Sequence, residues 1–266
     1  MSTRDRSLLR RIDIQFPWLK LVVVIFIGIV AILDLLDLTI SKIAEPGVRL
    51  KMAPMSRHVE IVKRDLYGKK LVALTFDDGP SNATTPRLIN VLKSKDAVAT
   101  FFMLGSMARQ NPDLVKQVEK EGNEVASHTM YHQNLPRISA DSAIGDINEA
   151  KSILNDILGH PVKYTRPPYG NVNNVVLDNT GTPLILWSVD TLDWKNRNPA
   201  EILEITKNQV SEGGIILMHD IYDTTVDAVG SIIDELRKEG YEFATISELA
   251  KERGIKLENK TVYYSL

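Results

Sequence analysis

Short β-branched runs alternate with helical patterns from Lys70 onward, and this alternation constrains the fold more than any other feature. Seven runs have the composition of strands: 71–76, 97–104, 123–128, 162–167, 182–190, 214–220 and 241–246. The segments between them carry helix signals, such as Asn-Pro-Asp at a start and glycine at an end. Repeated strand–helix alternation predicts a parallel sheet covered by helices, either a (β/α) barrel or an open doubly wound sheet.

The N-terminal segment departs from this pattern. It is apolar over residues 16–40 and carries no charge from Leu21 to Leu33. Four arginines precede it: Arg4, Arg6, Arg10 and Arg11. This arrangement predicts a single membrane span with the N-terminus inside and the remainder outside. A cleaved signal peptide and a buried helix of a soluble domain are the alternatives, and we favour an uncleaved anchor because no small-x-small cleavage site follows.

These features predict five parts of the chain: a basic cytoplasmic N-terminus (1–15), the anchor (16–40), a spacer (41–69), a catalytic domain (70–255) and a C-terminal tail (256–266). The net charge is −2, so nothing points to a nucleic-acid partner, and no protein partner is evident. The chain has no cysteine, which excludes disulfides, thiolate nucleophiles and cysteine-ligated zinc.

Chemically active side chains collect where the predicted strands end. "TFDDGP", "SHTMYH", "TRPPYG", "SVDTLDW" and "LMHD" supply Asp77, Asp78, His128, His132, Arg166, Tyr169, Asp190, Asp193, Trp194, His219 and Asp220. Parallel α/β proteins place their active groups at the carboxyl ends of the strands. We therefore expect these side chains to form one site.

The adjacent acids Asp77 and Asp78 raise a specific question, because successive side chains of a strand point to opposite faces. A polar turn is one answer. A second comes from His128 and His132, which a helical turn after Ser127 would place on one face to bind one metal ion. An aspartate would be the anionic third ligand. The two acids would then differ in role: one binds the metal, and the other accepts a proton from water at the open position.

The five motifs, in this order, resemble those of the polysaccharide deacetylases, carbohydrate esterase family four, over about residues 70–250. The resemblance implies a distorted, incomplete (β/α) barrel. It implies that Asp77 is the general base and that one divalent metal, usually zinc or cobalt, is held by Asp78, His128 and His132. The other implied roles are Arg166 orienting Asp77, the Tyr169 backbone N–H binding the oxyanion, Asp193 orienting the general acid His219, and Trp194, Leu217, Pro168 and Gly170 contacting the substrate.

An anchored enzyme with an outward catalytic domain meets a cell-envelope glycan. We therefore predict removal of N-acetyl groups from N-acetylglucosamine residues of peptidoglycan, at the outer face of the cell membrane. Chitin oligomers, another exported polysaccharide or an O-acetyl ester of xylan are alternative substrates. Alternatives of other classes are a wall-binding protein without catalysis and a metal-dependent glycosidase that uses Asp190 and Asp193 as its acid pair. In the plainest interpretation, Arg166 is a loop cation and Asp220 caps the following helix.

Overall fold

The computed structural model describes residues 65–266. The predicted basic N-terminus, the predicted anchor and residues 41–64 of the predicted spacer lie outside the described residues. Within residues 65–266, none of the helices combines the length and the apolar character that a membrane crossing requires. Leu66, at the end of the predicted spacer, is buried against the core and so belongs to the folded domain.

A parallel sheet forms the centre of the described domain. Its strands are Lys70–Asp77 (β1), Ala99–Met103 (β2), Glu124–Ser127 (β3), Leu184–Ile185 (β4), Val189–Asp190 (β5), Ile215–His219 (β6), Tyr241–Phe243 (β7) and Val262–Tyr263 (β8). The main sheet has the order β3-β2-β1-β6-β5, and β7 pairs with the start of β1. β4 pairs with β8. The predicted α/β class with a parallel sheet is confirmed.

Helices cover the sheet. They are Thr85–Ser94 (α1), Gly105–Gln110 (α2), Pro112–Lys120 (α3), Ala140–Leu158 (α4), Asn174–Asn179 (α5), Asp193–Asn196 (α6), Pro199–Gln209 (α7), Asp223–Lys238 (α8) and Ile246–Glu252 (α9). Local signals explain their bounds. Ser139 caps the start of α4, and Gly159 ends it with a φ of 79°. Thr245 and Glu248 form a capping box at α9.

The register of the sheet brings the motif residues to one edge. β1 is buried over almost its whole length and lies between β2 and β6. Asp77 at its end is level with His219 at the end of β6. Asp190 at the end of β5 is level with Leu217 of β6. Because all these strands are parallel, their carboxyl ends meet at the same edge of the sheet.

Two predicted strands differ from the structure. Of residues 162–167, only Thr165 joins the ladder, through single bridges to Ser127 and Leu184. Pro167 ends this run and Pro168 follows it, and proline cannot donate a ladder hydrogen bond. The predicted strand 182–190 is divided into β4 and β5, because the N–H of Leu186 bonds to β8 while that of Ser188 bonds to β6.

Residues 256–266 are not a tail, and the predicted end of the domain at residue 255 is too early. Val262 and Tyr263 form β8 beside β4. Ser265 makes an antiparallel bridge to Gly214, and Leu266 is buried with its N–H bonded to the carbonyl of Gly213. The segment is too short and too polar for its pattern to indicate a strand, so tertiary pairing decides its conformation.

Candidate active site and metal centre

Asp77 and Asp78 face the same cavity because the chain changes direction between them. Asp77 is the last residue of β1, whereas Asp78 has a φ of 74°. Aspartate tolerates this left-handed conformation better than most residues. The following Gly79 is required by space, since a Cβ there would lie 2.2 Å from Oδ1 of Asp220. The motif is therefore a turn that serves to bring both carboxylates to one side.

The two histidines also meet, although not through the helical turn that their spacing suggested. Residues 128–132 form a loop, in which Thr129 and His132 have φ values of 70° and 55°. Asp146 of α4 accepts the N–H of Met130 at 2.6 Å. The first N–H groups of α2 donate to the carbonyls of Thr129 and Met130. The loop is thus held from two helices, and Asp146 is a positioning residue that the sequence pattern did not reveal.

Asp78, His128 and His132 form a cluster that fits a divalent metal. One ligand atom of each lies within 4.8 Å of the others. Oδ1 of Asp78 is 3.5 Å from Nε2 of both histidines, and this buried oxygen has no hydrogen-bond partner. A buried carboxylate oxygen without a partner is costly unless it binds a cation. One oxygen and two nitrogens are a usual donor set for catalytic zinc.

The protonation of His128 suits a metal ligand. Its Nδ1 lies 2.7 Å from the carbonyl oxygen of Arg166, which can only accept, so Nδ1 carries the proton and the lone pair of Nε2 faces Asp78. Burial lowers the pKa of His128 to about 3, despite the opposing charge of Asp78. The imidazole is therefore neutral at physiological pH, as a ligand must be.

Arg166 lies behind Asp77 and is completely buried. Its Nη1 donates to Oδ1 of Asp77 at 2.7 Å and to Oγ1 of Thr75 at 2.9 Å. Its Nε and Nη2 donate to the carbonyls of Ile185 and Leu186. With these four bonds Arg166 is a fixed partner of Asp77, which excludes the plain loop cation.

Two opposing effects act on the pKa of Asp77: its burial and the positive charges beside it. Burial raises the pKa above the ordinary aspartate value, while Arg166 and His219 oppose the rise. A raised pKa makes the carboxylate a stronger proton acceptor, which suits a general base. Its second oxygen, Oδ2, is 3.6 Å from Nε2 of His128 and so lies next to the metal cluster.

His219 and the buried Asp193 form a second pair of side chains, and His219 lies on the strand next to Asp77. Oδ1 of Asp193 accepts Nδ1–H of His219 and the N–H of Trp194, each at 2.8 Å. Oδ2 accepts the N–H of His219 at 2.8 Å and the hydroxyl of Thr225 at 2.7 Å. Burial lowers the pKa of His219, but Asp193 and the charges of Asp77 and Asp78 outweigh it and raise the pKa to about 9. His219 therefore carries a proton at neutral pH and can donate it.

The metal cluster, Asp77 and His219 lie around one cavity of about 370 Å³. Its lining comprises Asp77, Asp78, His128, His132, Tyr169, Trp187, Asp190, Trp194, Leu217, His219 and Tyr222. The structure thus brings most of the predicted site residues together and adds Trp187 and Tyr222. Trp187 lies within the predicted strand 182–190, so its position in the sequence did not indicate a role in the site. Tyr222 follows "LMHD" by two residues and gave no signal of its own.

Tyr169 and its neighbours complete one wall. Tyr169 has a φ of 60°, and its ring, 61% exposed, meets His132 edge-on with 4.7 Å between centroids. Within residues 65–266 its N–H has no backbone acceptor, so this donor is available for an oxyanion. Pro168 is buried and Gly170 packs against Trp187. Neither of these two lines the cavity, so their contact with substrate stays a prediction.

Asp220 does not cap the next helix, which begins at Asp223 after Tyr222. It is fully buried beneath Gly79, and its Oδ2 accepts the hydroxyl of Thr85 at 2.5 Å. Burial raises its pKa to about 7. Asp220 therefore packs against Gly79 and supports the turn of "DDGP". It is not one of the residues that line the cavity.

Comparison with known proteins agrees with this geometry. The polysaccharide deacetylase family profile matches residues 65–182. A peptidoglycan-N-acetylglucosamine deacetylase of Listeria monocytogenes is 42% identical over 207 residues, which are 78% of this chain and 44% of the relative. A protein of the same name from Bacillus cereus is 38% identical over 191 residues, which are 69% of this chain and 89% of the relative.

A solved structure is similar as well. That of the peptidoglycan deacetylase PdaC from Bacillus subtilis has a TM-score of 0.68 and 40% identity, and covers 70% of this chain and 93% of that chain. The curated name of PdaC is peptidoglycan-N-acetylmuramic acid deacetylase. The chain spans less than half the length of the Listeria relative.

Proposed function

Because the chain belongs to the polysaccharide deacetylase family, we propose that it hydrolyses N-acetyl groups of N-acetylglucosamine residues in peptidoglycan. The observation that carries the proposal is the cavity, where a base paired with arginine, a set of three metal ligands and a protonated histidine surround one space. Two relatives whose names contain this sugar support the choice of substrate. N-acetylmuramic acid, the neighbouring sugar of the glycan strand, is the alternative, because PdaC is named for it.

The residues divide the reaction among themselves. A divalent metal held by Asp78, His128 and His132, zinc in our proposal with cobalt as the alternative, would polarise the amide carbonyl and acidify water. Asp77, fixed by Arg166, accepts a proton from the attacking water.

The remaining groups act on the carbonyl and the leaving amine. The backbone N–H of Tyr169 stabilises the oxyanion. His219, oriented by Asp193, donates its proton to the nitrogen as the C–N bond breaks. The products are acetate and a free amine. Trp194 and Leu217 provide apolar surface for the acetyl methyl group.

Product analysis tests this proposal against its alternatives. The detergent-solubilised full chain, with zinc added, is incubated with peptidoglycan fragments, N-acetylglucosamine oligomers and acetylated xylan. We expect acetate and free amines from the amide substrates, with no shortening of the sugar chains. Shortened sugars without acetate would instead indicate a glycosidase. Binding without acetate would indicate a wall-binding protein, and acetate from xylan alone would indicate an esterase.

We also propose that residues 16–40 anchor the enzyme in the cell membrane as a single span, with the catalytic domain facing the wall. The support is the order of four arginines, an apolar run and then Asp34. Protease added to intact protoplasts should release or digest the catalytic domain, while a cytoplasmic marker protein stays intact. Protection of the domain until the cells are lysed would contradict this topology.

We further infer that the sheet is the distorted, incomplete barrel expected for the family. The ladder continues from β3 through the bridges of Thr165 to β4 and β8. The bridge between Ser265 and Gly214 then returns it to the start of β6.

A further inference from the structure

Arg197 contacts two residues that line the cavity and is held by them in a fixed orientation. It follows α6, and its Nε–H donates to the carbonyl of Trp194 at 3.0 Å. Its guanidinium carbon lies 3.0 Å from the centroid of the Tyr222 ring. Trp194 and Tyr222 both line the cavity. Arg197 is thus held on one edge and one face by residues of the substrate site, which orients the two terminal nitrogens, Nη1 and Nη2.

These two nitrogens have no acidic partner within residues 65–266. Four other described arginines form surface ion pairs: Arg87, Arg109, Arg237 and Arg253. The acid next to Tyr222 in sequence, Asp223, pairs with Arg87 rather than with Arg197. Arg197 is exposed, so its positive charge faces the solvent beside the cavity-lining residues Trp194 and Tyr222.

The backbone at this position gives a second, independent observation. Arg197 has a φ of 50° and a ψ of 36° at the end of α6, a left-handed conformation that favours glycine or asparagine. A long side chain in such a conformation is uncommon, and outliers of this kind concentrate at ligand sites. A guanidinium with two parallel free N–H groups matches a carboxylate in both charge and geometry.

We propose that Arg197 binds a carboxylate carried by the glycan strand next to the sugar that is deacetylated; this rests on the proposed function. Chitin has no such group, because all its substituents are neutral. A peptidoglycan strand has one from either of two sources. The lactyl group of muramic acid carries a free carboxylate where no peptide is attached, and the stem peptide carries carboxylates where it is. Arg197 thereby favours peptidoglycan over a neutral glycan in the same cavity.

Three substrates and three variants test this. The substrates are N-acetylglucosamine oligomers, alternating strands without peptide, and alternating strands with the stem peptide. The variants are Arg197→Ala, Arg197→Lys and the control Lys195→Ala, which removes a neighbouring exposed positive charge. The quantity measured is the ratio of kcat/KM on each charged strand to kcat/KM on the neutral oligomer, at low and high salt.

We expect Arg197→Ala to lower this ratio about tenfold, as the loss of a charge-assisted bond does, on the strand whose carboxylate is bound. Whichever charged strand shows the loss identifies the source of the carboxylate. Arg197→Lys should retain part of the ratio, Lys195→Ala should retain all of it, and high salt should lower it in the wild type.

If Arg197→Ala lowered kcat/KM equally on all three substrates, the inference would be overturned. Arg197 would then only hold Trp194 and Tyr222 in position. An equal effect of Lys195→Ala would overturn it in favour of non-specific charge. In both cases acetate is still formed, whereas absence of acetate from every substrate would contradict the proposed function itself.

Discussion

Asp77→Asn is expected to abolish nearly all turnover while the protein retains its metal. The asparagine oxygen can still accept the hydrogen bond of Arg166, so the side chain keeps its place. An amide cannot take a proton from water, and groups that do so contribute typically about 10²- to 10⁴-fold to the rate. Acetate formation and bound metal, both measured on the purified variant, check the prediction.

His219→Ala is the matched comparison for this variant. It removes the proton donor and should lose activity to a similar extent, again with the metal retained. Asp77→Asn leaves the positive charge of Arg166 buried without a negative charge beside it. The thermal unfolding of both variants should therefore be recorded as well. Loss of metal from a stably folded Asp77→Asn variant, together with retention of metal by Asp78→Asn, would show that Asp77, and not Asp78, is the ligand.

Asp78→Asn is expected to lose the metal itself. Asp78 supplies the anionic member of the cluster, and its buried Oδ1 has no other partner. A neutral amide oxygen binds a divalent cation more weakly. The loss of affinity should exceed the roughly 10- to 100-fold that removal of a supporting residue behind the ligands causes. Zinc binding by competition with a chromogenic chelator measures it directly.

Activity should follow binding in this variant. Asp78→Asn should be inactive at limiting zinc and recover part of its rate in excess zinc, since Asp77 and His219 remain. Asp77→Asn should not recover at any zinc concentration. If Asp78→Asn keeps both its zinc affinity and its rate, the two acids at the end of β1 are only a turn.

The sequence predicts which side chains gather, and the reason is general. Parallel strands share one edge for their carboxyl ends, so residues such as Asp77 and His219 must approach each other if the strand assignment is correct. Their approach needs no knowledge of the loops. Leu217, by contrast, was expected at the site only through the resemblance to the family, and the register of the sheet is what pairs it with Asp190.

Backbone conformation outside the strands could not be predicted in this way. Asp78 and His132 reach the cavity through positive φ angles, and neither strand nor helix periodicity includes such residues. The i,i+4 spacing of His128 and His132 indicated the correct pair through a helix that the structure does not contain. Hydrogen bonds from Asp146 and α2 determine the conformation of that loop, and they connect residues distant in sequence.

Supporting residues were missed for a related reason. Thr225 bonds Asp193, and Trp187 and Tyr222 line the cavity, but each lies within or beside a segment with an ordinary structural pattern. Buried threonines and aromatic residues are common in cores, so their type carries no signal of function. Only their distances to motif residues identify them.

Zinc titration of the metal-stripped wild-type protein tests the central claim most directly, with acetate release from N-acetylglucosamine oligomers and bound zinc measured in the same samples. We expect no activity without metal, a rate that rises in proportion to bound zinc, and a plateau at one zinc per chain. A full rate in the metal-free protein, or a rate independent of bound zinc, would contradict it.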